Sequence, residues 1–98
     1  MRFANKEKVQ TLINSKNAML VDMRSPVQFR DSPVPGAVNL PLRNLTNTLI
    51  TIKDKKRPVI LFGEHTDVKM GITYAENLSF ENIYITNAGE WNEQAKKR

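Results

Sequence analysis

The stretch Pro58-Val59-Ile60-Leu61-Phe62-Gly63-Glu64-His65-Thr66-Asp67-Val68-Lys69 decides the fold of this 98-residue chain. A proline followed by four consecutive apolar residues predicts a strand, and Met19-Leu20-Val21 is a shorter apolar run typical of a strand that is covered on both faces. Residues 63–67 are predicted to form a loop, and Thr66 or Asp67 is predicted to cap a helix that runs to about Asn77. A buried strand that passes through a short loop into a helix is the unit from which parallel sheets are built.

The sequence on either side repeats this alternation. Further short strands are predicted at residues 2–4, 19–21, 37–40 and 82–86. Helices are predicted between them: one capped by Asn5, one that begins at Ser25-Pro26, and an amphipathic one from Leu42 to Ile52. Strands and helices that alternate through short connections predict an α/β fold, with a small, mainly parallel sheet of about five strands and helices on both faces.

The composition limits the chemistry that this chain can perform. It contains no cysteine, which excludes disulfides, thiolate metal sites and a thiolate nucleophile, and only one histidine. We therefore expect no bound cofactor and no metal site. Glu64, His65 and Asp67 do offer three possible ligands for a divalent cation, but loops that bind such ions usually carry more carboxylates.

The net charge of +5 raises the question of polyanion binding. The basic residues concentrate in two runs, at residues 53–57 and 96–98, without interleaved aromatic side chains. The first interpretation is a solvated turn and a basic tail. Weak binding of polyanions is the alternative, and it predicts an affinity that falls steeply with salt.

Length and hydropathy predict one domain over residues 1–98, with a core at about 18–91 and a basic tail at 92–98. No apolar run approaches the roughly 18 residues of a membrane span. A charged N-terminal stretch does not fit a secretory signal. The sequence thus predicts a cytoplasmic protein without a membrane partner, and it leaves the oligomeric state open.

Several segments of the chain are similar to signatures that occur together in one protein family. Leu20-Val21-Asp22-Met23-Arg24 is similar to that family's Leu-Ile-Asp-Val-Arg, and residues 34–41 (Val-Pro-Gly-Ala-Val-Asn-Leu-Pro) resemble its Ile-Pro-Gly-Ala-Ile-Asn-Ile-Pro. Residues 78–84 are similar to Leu-Gly-Phe-x-Asn-Val-Tyr, with Ser79 in place of glycine, and residues 88–91 stand where the family has a closing glycine-rich segment and tryptophan. Together these segments resemble the rhodanese family, and the resemblance implies a rhodanese-like, three-layer α/β/α arrangement.

The same resemblance implies that the site has lost its nucleophile. In a rhodanese, the strand equivalent to residues 59–62 is followed by a cysteine that carries sulfur as a persulfide, whereas this chain has Gly63 there. No catalytic residue is therefore assigned. The candidate pocket loop is formed by Gly63, Glu64, His65, Thr66, Asp67, Val68 and Lys69.

The charges of this loop also differ from those of the family, whose loops tend to carry arginines. Glu64 and Asp67 are expected to oppose the half unit of positive charge at a helix N-terminus. Asp22 and Arg24 are predicted to support the site by holding the strand end and its neighbouring loops together through charge-assisted hydrogen bonds. Trp91 is expected either to seal the edge of the core or to rim the pocket.

Three functions follow as hypotheses. The first is a rhodanese-like protein that transfers no sulfur and instead binds a protein partner or regulates one. The second is a residual enzyme of the superfamily that uses the pocket at residues 63–69 for other chemistry, with His65 as a base beside Glu64 or Asp67. The third is a basic polyanion-binding protein.

Overall fold

The computed structural model describes residues 2–88. Within them, the strands are β1 (Arg2–Phe3), β2 (Met19–Asp22), β3 (Ala37–Asn39), β4 (Val59–Phe62) and β5 (Ile83–Ile85), and the helices are α1 (Lys6–Lys16), α2 (Pro26–Asp31), α3 (Leu42–Leu49) and α4 (His65–Asn77). All strand pairs are parallel, and the order β1-β5-β4-β2-β3 makes β4 the central strand. The predicted α/β class is confirmed.

The side chains of β4 alternate between two separate cores. Val59 and Leu61 lie in the core that includes Leu45 of α3 and Ile72 of α4. Ile60 and Phe62 lie in the other core, with residues of α1. Since successive side chains of a strand point to opposite faces, a central strand covered by helices on both sides must be apolar throughout. This explains the unbroken apolar run from which the fold was predicted.

The caps of the first two helices are as predicted. The side chain of Asn5 accepts a hydrogen bond from the backbone N–H of Lys8 at 2.9 Å. Ser25 caps α2 through the N–H of Gln28, and Pro26 occupies the first helical position. The third helix is shorter than predicted: α3 ends at Leu49, and the last residue of the apolar pattern, Ile52, lies in the following turn, where its N–H donates to the Leu49 carbonyl.

The predicted start of α4 is wrong. The helix begins at His65 with Glu64 at the N-cap position, so the connection from β4 consists of Gly63 and Glu64 alone. Thr66 therefore lies within the helix, and Asp67 is an acidic residue of its first turn rather than a cap. The prediction relied on the preference for Thr or Asp at the N-cap position. That preference did not apply, because the N-cap residue Glu64 makes no side-chain capping hydrogen bond.

The C-terminus of α4 explains the position at which serine replaces the family's glycine. Ser79 has a φ of 70°. The N–H of Phe80 donates to the carbonyl of Ala75 at 3.1 Å, and the N–H of Ser79 donates to that of Glu76 at 2.9 Å. These two bonds define a Schellman motif, whose left-handed residue is usually glycine because other residues are strained there.

We therefore expect Ser79→Gly to stabilise the protein by about 0.5–1 kcal/mol, since glycine removes the strain of the left-handed conformation. For a domain of this size the corresponding rise in Tm is roughly 2–8 °C. Thermal unfolding checks this, with Ser79→Ala as the matched control that also removes the hydroxyl but keeps the strain. An equal gain from both variants would contradict the explanation.

Candidate functional site

The position predicted for the missing nucleophile lies at the carboxyl end of the central strand. Gly63 follows Phe62, the last residue of β4, and α4 begins two residues after Gly63. Because β2, β4 and β5 run parallel, their carboxyl ends meet at this same edge of the sheet. In open α/β sheets this is the edge at which ligands bind.

Gly63 has a backbone conformation that few other residues adopt, with a φ of 146°. A Cβ built on it would lie 3.2 Å from the Cβ of Met23 and 3.3 Å from the Met23 carbonyl carbon. The direction that a side chain would take from this position is thus occupied by the chain leaving β2. The difference from a cysteine at this position thus extends beyond the missing thiol, because both the backbone conformation and the close contacts of residue 63 favour glycine.

Buried Asp22 and partly buried Arg24 form an ion pair beside Gly63. The Asp22 side chain is fully buried, and its Oδ2 lies 2.8 Å from Nη2 of Arg24. Oδ1 of Asp22 accepts from the backbone N–H of Arg24 at 2.8 Å and from its Nε at 3.0 Å. Nη2 of Arg24 also donates to the Ser32 carbonyl at 2.7 Å, and the Asn39 amide donates to the carbonyls of both Asp22 and Arg24 at 2.9 Å. These are the contacts that a supporting role requires, since they join the end of β2 to the loop after α2 and to β3.

A cleft of about 560 Å³ opens at this edge. Its walls come from four places: the end of β2 with the start of α2, the junction of β4 and α4, the N-terminus of α3, and the end of β5. The lining residues are Met23, Arg24, Ser25, Gln28, Pro41, Phe62, Gly63, Glu64, Asp67, Thr86, Asn87 and Ala88.

The structure brings only part of the predicted pocket loop to this cleft. Gly63, Glu64 and Asp67 line it, and so does the supporting residue Arg24. His65, Thr66 and Lys69 are exposed outside the cleft lining, and Val68 is buried in the core. Positions 64 and 67 are three residues apart at the start of α4 and therefore lie on the same helix face, the one that borders the cleft. Positions 65, 66 and 69 lie on other faces of the helix.

Sequence reasoning missed more than half of the cleft. It assigned no site role to Met23, Ser25, Gln28, Pro41 or Phe62, or to residues 86–88. One signal could have found several of them: each predicted strand that runs parallel to the central one must deliver the residues after its carboxyl end to the same edge. The residues after residue 85 could have been placed there by this rule.

The charges on the cleft lining are unevenly balanced. Arg24 is its only basic residue among those that the structure describes, and this guanidinium is paired with buried Asp22. Glu64 is exposed, Asp67 is half-buried, and neither forms an ion pair within residues 2–88. The part of the cleft lining that the structure describes is therefore acidic, in a chain whose net charge is +5. The basic run at residues 53–57 precedes β4 and so lies at the opposite edge of the sheet.

The hypothesis of a divalent-cation site receives no support from the described part of the chain. Residues 2–88 contain no group of three His, Asp or Glu side chains placed to hold a metal ion, so Glu64, His65 and Asp67 do not converge. No helix in the same range has the length and apolar character that a bilayer span needs. Trp91 and the basic tail at 92–98 lie outside the described residues.

The parallel sheet and the strand-to-helix cleft define the class of protein. A model of the rhodanese-like domain matches residues 5–93, and the chain belongs to this family.

Solved structures show the same fold. The single-domain sulfurtransferase of Saccharomyces cerevisiae is similar over 98% of this chain and 92% of its own, with a TM-score of 0.73 and 18% identity. A human single-domain sulfurtransferase is similar over 100% of this chain and 98% of its own, with a TM-score of 0.69 and 18% identity. A rhodanese-like domain from Anabaena sp. is similar over 98% of this chain and 75% of its own, with a TM-score of 0.73 and 14% identity. At these identities the likeness extends to the fold alone.

Proposed function

We propose that this chain is a rhodanese-like domain that transfers no sulfur and binds a protein partner through the cleft at the carboxyl edge of its sheet. One observation carries the first half of the proposal: the chain contains no cysteine. The resemblance to rhodaneses assigns the position of the sulfur-carrying cysteine to Gly63, which directly follows β4. Sulfur transfer through a persulfide requires a thiolate, which no other residue type can replace.

The second half of the proposal rests on what the chain retains. The fold, the cleft of about 560 Å³ and the Asp22–Arg24 ion pair are all present although the chain has no cysteine. A cleft of this size falls within the range typical of binding sites. Its lining mixes apolar and polar side chains, as interfaces do.

The residual-enzyme hypothesis fits the geometry less well. It relies on His65 as a base, and His65 is exposed on α4 outside the cleft lining. A general base must lie within hydrogen-bonding reach of the proton that it removes, directly or through one water. The cytoplasmic location, the single-domain boundaries and the polyanion-binding alternative stay predictions.

We expect purified protein to transfer no sulfur from thiosulfate or 3-mercaptopyruvate to cyanide, because the step has no atom to carry the sulfur. Thiocyanate formation measures this, with an active single-domain sulfurtransferase as the positive control. Turnover proportional to the amount of protein, in a preparation free of other sulfurtransferases, would overturn the proposal.

Partner binding is tested by affinity capture with matched variants. Proteins retained by the wild type should be lost when Glu64 and Asp67, which line the cleft, are changed to glutamine and asparagine. They should be retained when Thr66 and Lys69, which lie on the same turns but outside the lining, are changed to alanine. Equal capture by both double variants would show that the cleft is not the binding surface.

A further inference from the structure

The cleft presents negative charge to anything that enters it. Glu64 and Asp67 carry two formal charges that no basic residue of the described chain pairs with, while Arg24 is committed to Asp22 through both carboxylate oxygens. The N-terminus of α4 contributes only about half a unit of opposite charge. The negative charge of the described cleft lining therefore disfavours binding of an anion such as thiosulfate and favours binding of a cation.

The remaining lining suits a cation with an apolar stem. Half-buried Pro41 contributes apolar surface to the cleft, and the nearly buried side chains of Met23 and Phe62 also line it, alongside the two carboxylates. Lysine and arginine side chains bury their methylene stems against such surface while the charged group stays at the more polar end. A guanidinium or ammonium group at the two carboxylates would form charge-assisted hydrogen bonds.

We infer that the cleft receives a lysine or arginine side chain carried by a segment of the partner protein. This inference rests on the proposed function and specifies the chemistry of the partner. The charge complementarity is local, because the chain as a whole carries +5 and repels cations at long range. Binding of a cationic peptide must therefore result from the carboxylates of the cleft, because the net positive charge of the whole chain opposes it.

The probe is a blocked tripeptide with arginine between two alanines, compared with the same peptide carrying citrulline, which is nearly isosteric but neutral. Titration followed by two-dimensional NMR of the backbone amides suits weak complexes and reports the location of binding. We expect the arginine peptide to shift the amides of Glu64, Asp67 and Asn87, and the citrulline peptide to bind at least severalfold more weakly.

Variants test which charges are responsible. Glu64→Gln combined with Asp67→Asn should weaken binding of the arginine peptide about tenfold, since each of the two charges contributes a factor of roughly two to five. Glu64→Gln alone serves as a second variant, because Glu64 is exposed and its side chain makes no capping hydrogen bond, so its loss should leave the fold intact. Glu81→Gln is the matched control: it removes an exposed acid just before β5, at the opposite edge of the sheet, and should leave the affinity unchanged.

Three outcomes would overturn the inference: equal binding of the arginine and citrulline peptides, an affinity unaffected by loss of both carboxylates, or thiosulfate shifting the same amides at the same concentration. If the peptides fail to bind while partner capture still depends on Glu64 and Asp67, the inference fails and the proposed function stands. Thiocyanate formation by the wild type would instead overturn the proposed function, whatever the peptides do.

Discussion

Asp22→Asn should lower the free energy of unfolding by about 2–4 kcal/mol, the largest stability effect that we predict for a single site. The Asp22 carboxylate is fully buried and accepts hydrogen bonds from the backbone N–H, Nε and Nη2 of Arg24. An asparagine side chain has the same shape but must present N–H donors to a guanidinium that also has only donors. The partly buried guanidinium of Arg24 would keep its hydrogen bond to the Ser32 carbonyl but lose the carboxylate that compensates its charge.

Denaturant unfolding measures the loss, and for a domain of about 100 residues the Tm should fall by roughly 8–30 °C. Asp31→Asn is the matched control, since Asp31 also pairs with an arginine, Arg30, but with both side chains more than 60% exposed. Loss of this exposed ion pair should change the free energy of unfolding by less than about 0.5 kcal/mol. Similar small losses from both substitutions would show that Asp22 does not hold the cleft wall as its contacts indicate.

Gly63→Cys alone should not restore sulfur transfer and should also cost about 1–3 kcal/mol of stability. A cysteine at this position would have to adopt a φ near 146°, with its Cβ 3.2 Å from that of Met23, or else shift the chain. In addition, Glu64 and Asp67 on the same cleft would raise the pKa of an introduced thiol by repelling the thiolate, and would repel an anionic sulfur donor. Thiocyanate formation and denaturant unfolding test the two effects separately.

Two companion variants separate backbone strain from charge. Gly63→Ala should lose about as much stability as Gly63→Cys, because both introduce the same Cβ. Adding Glu64→Gln and Asp67→Asn to Gly63→Cys should increase the rate at which the thiol is alkylated at pH 7, because a lower pKa leaves more thiolate. Substantial turnover by Gly63→Cys alone, at unchanged stability, would mean that the loop relaxes readily into the geometry of an active rhodanese.

The sequence was sufficient for the fold because its signals are local and periodic. The apolar run at residues 59–62 predicted a strand, and the structure has one there. The run at residues 19–21 predicted a strand covered on both faces, and Leu20 and Val21 lie in the two separate cores. Asn5 and Ser25-Pro26 were recognisable as helix starts, since a cap depends on residues within one turn. The absence of cysteine needed no structure at all, because a nucleophile missing from the composition is missing from every conformation.

The tertiary structure alone decided the character of the site. Gly63 has a positive φ, and the fold packs Met23, which is 40 residues away in the chain, where a side chain of residue 63 would begin. The true start of α4 places Glu64 and Asp67 at the cleft but leaves His65 and Lys69 outside it. Local patterns reveal which residues form a strand or a helix. A cleft assembled from the ends of several elements depends on contacts between distant segments, and those are fixed only when the sheet has formed.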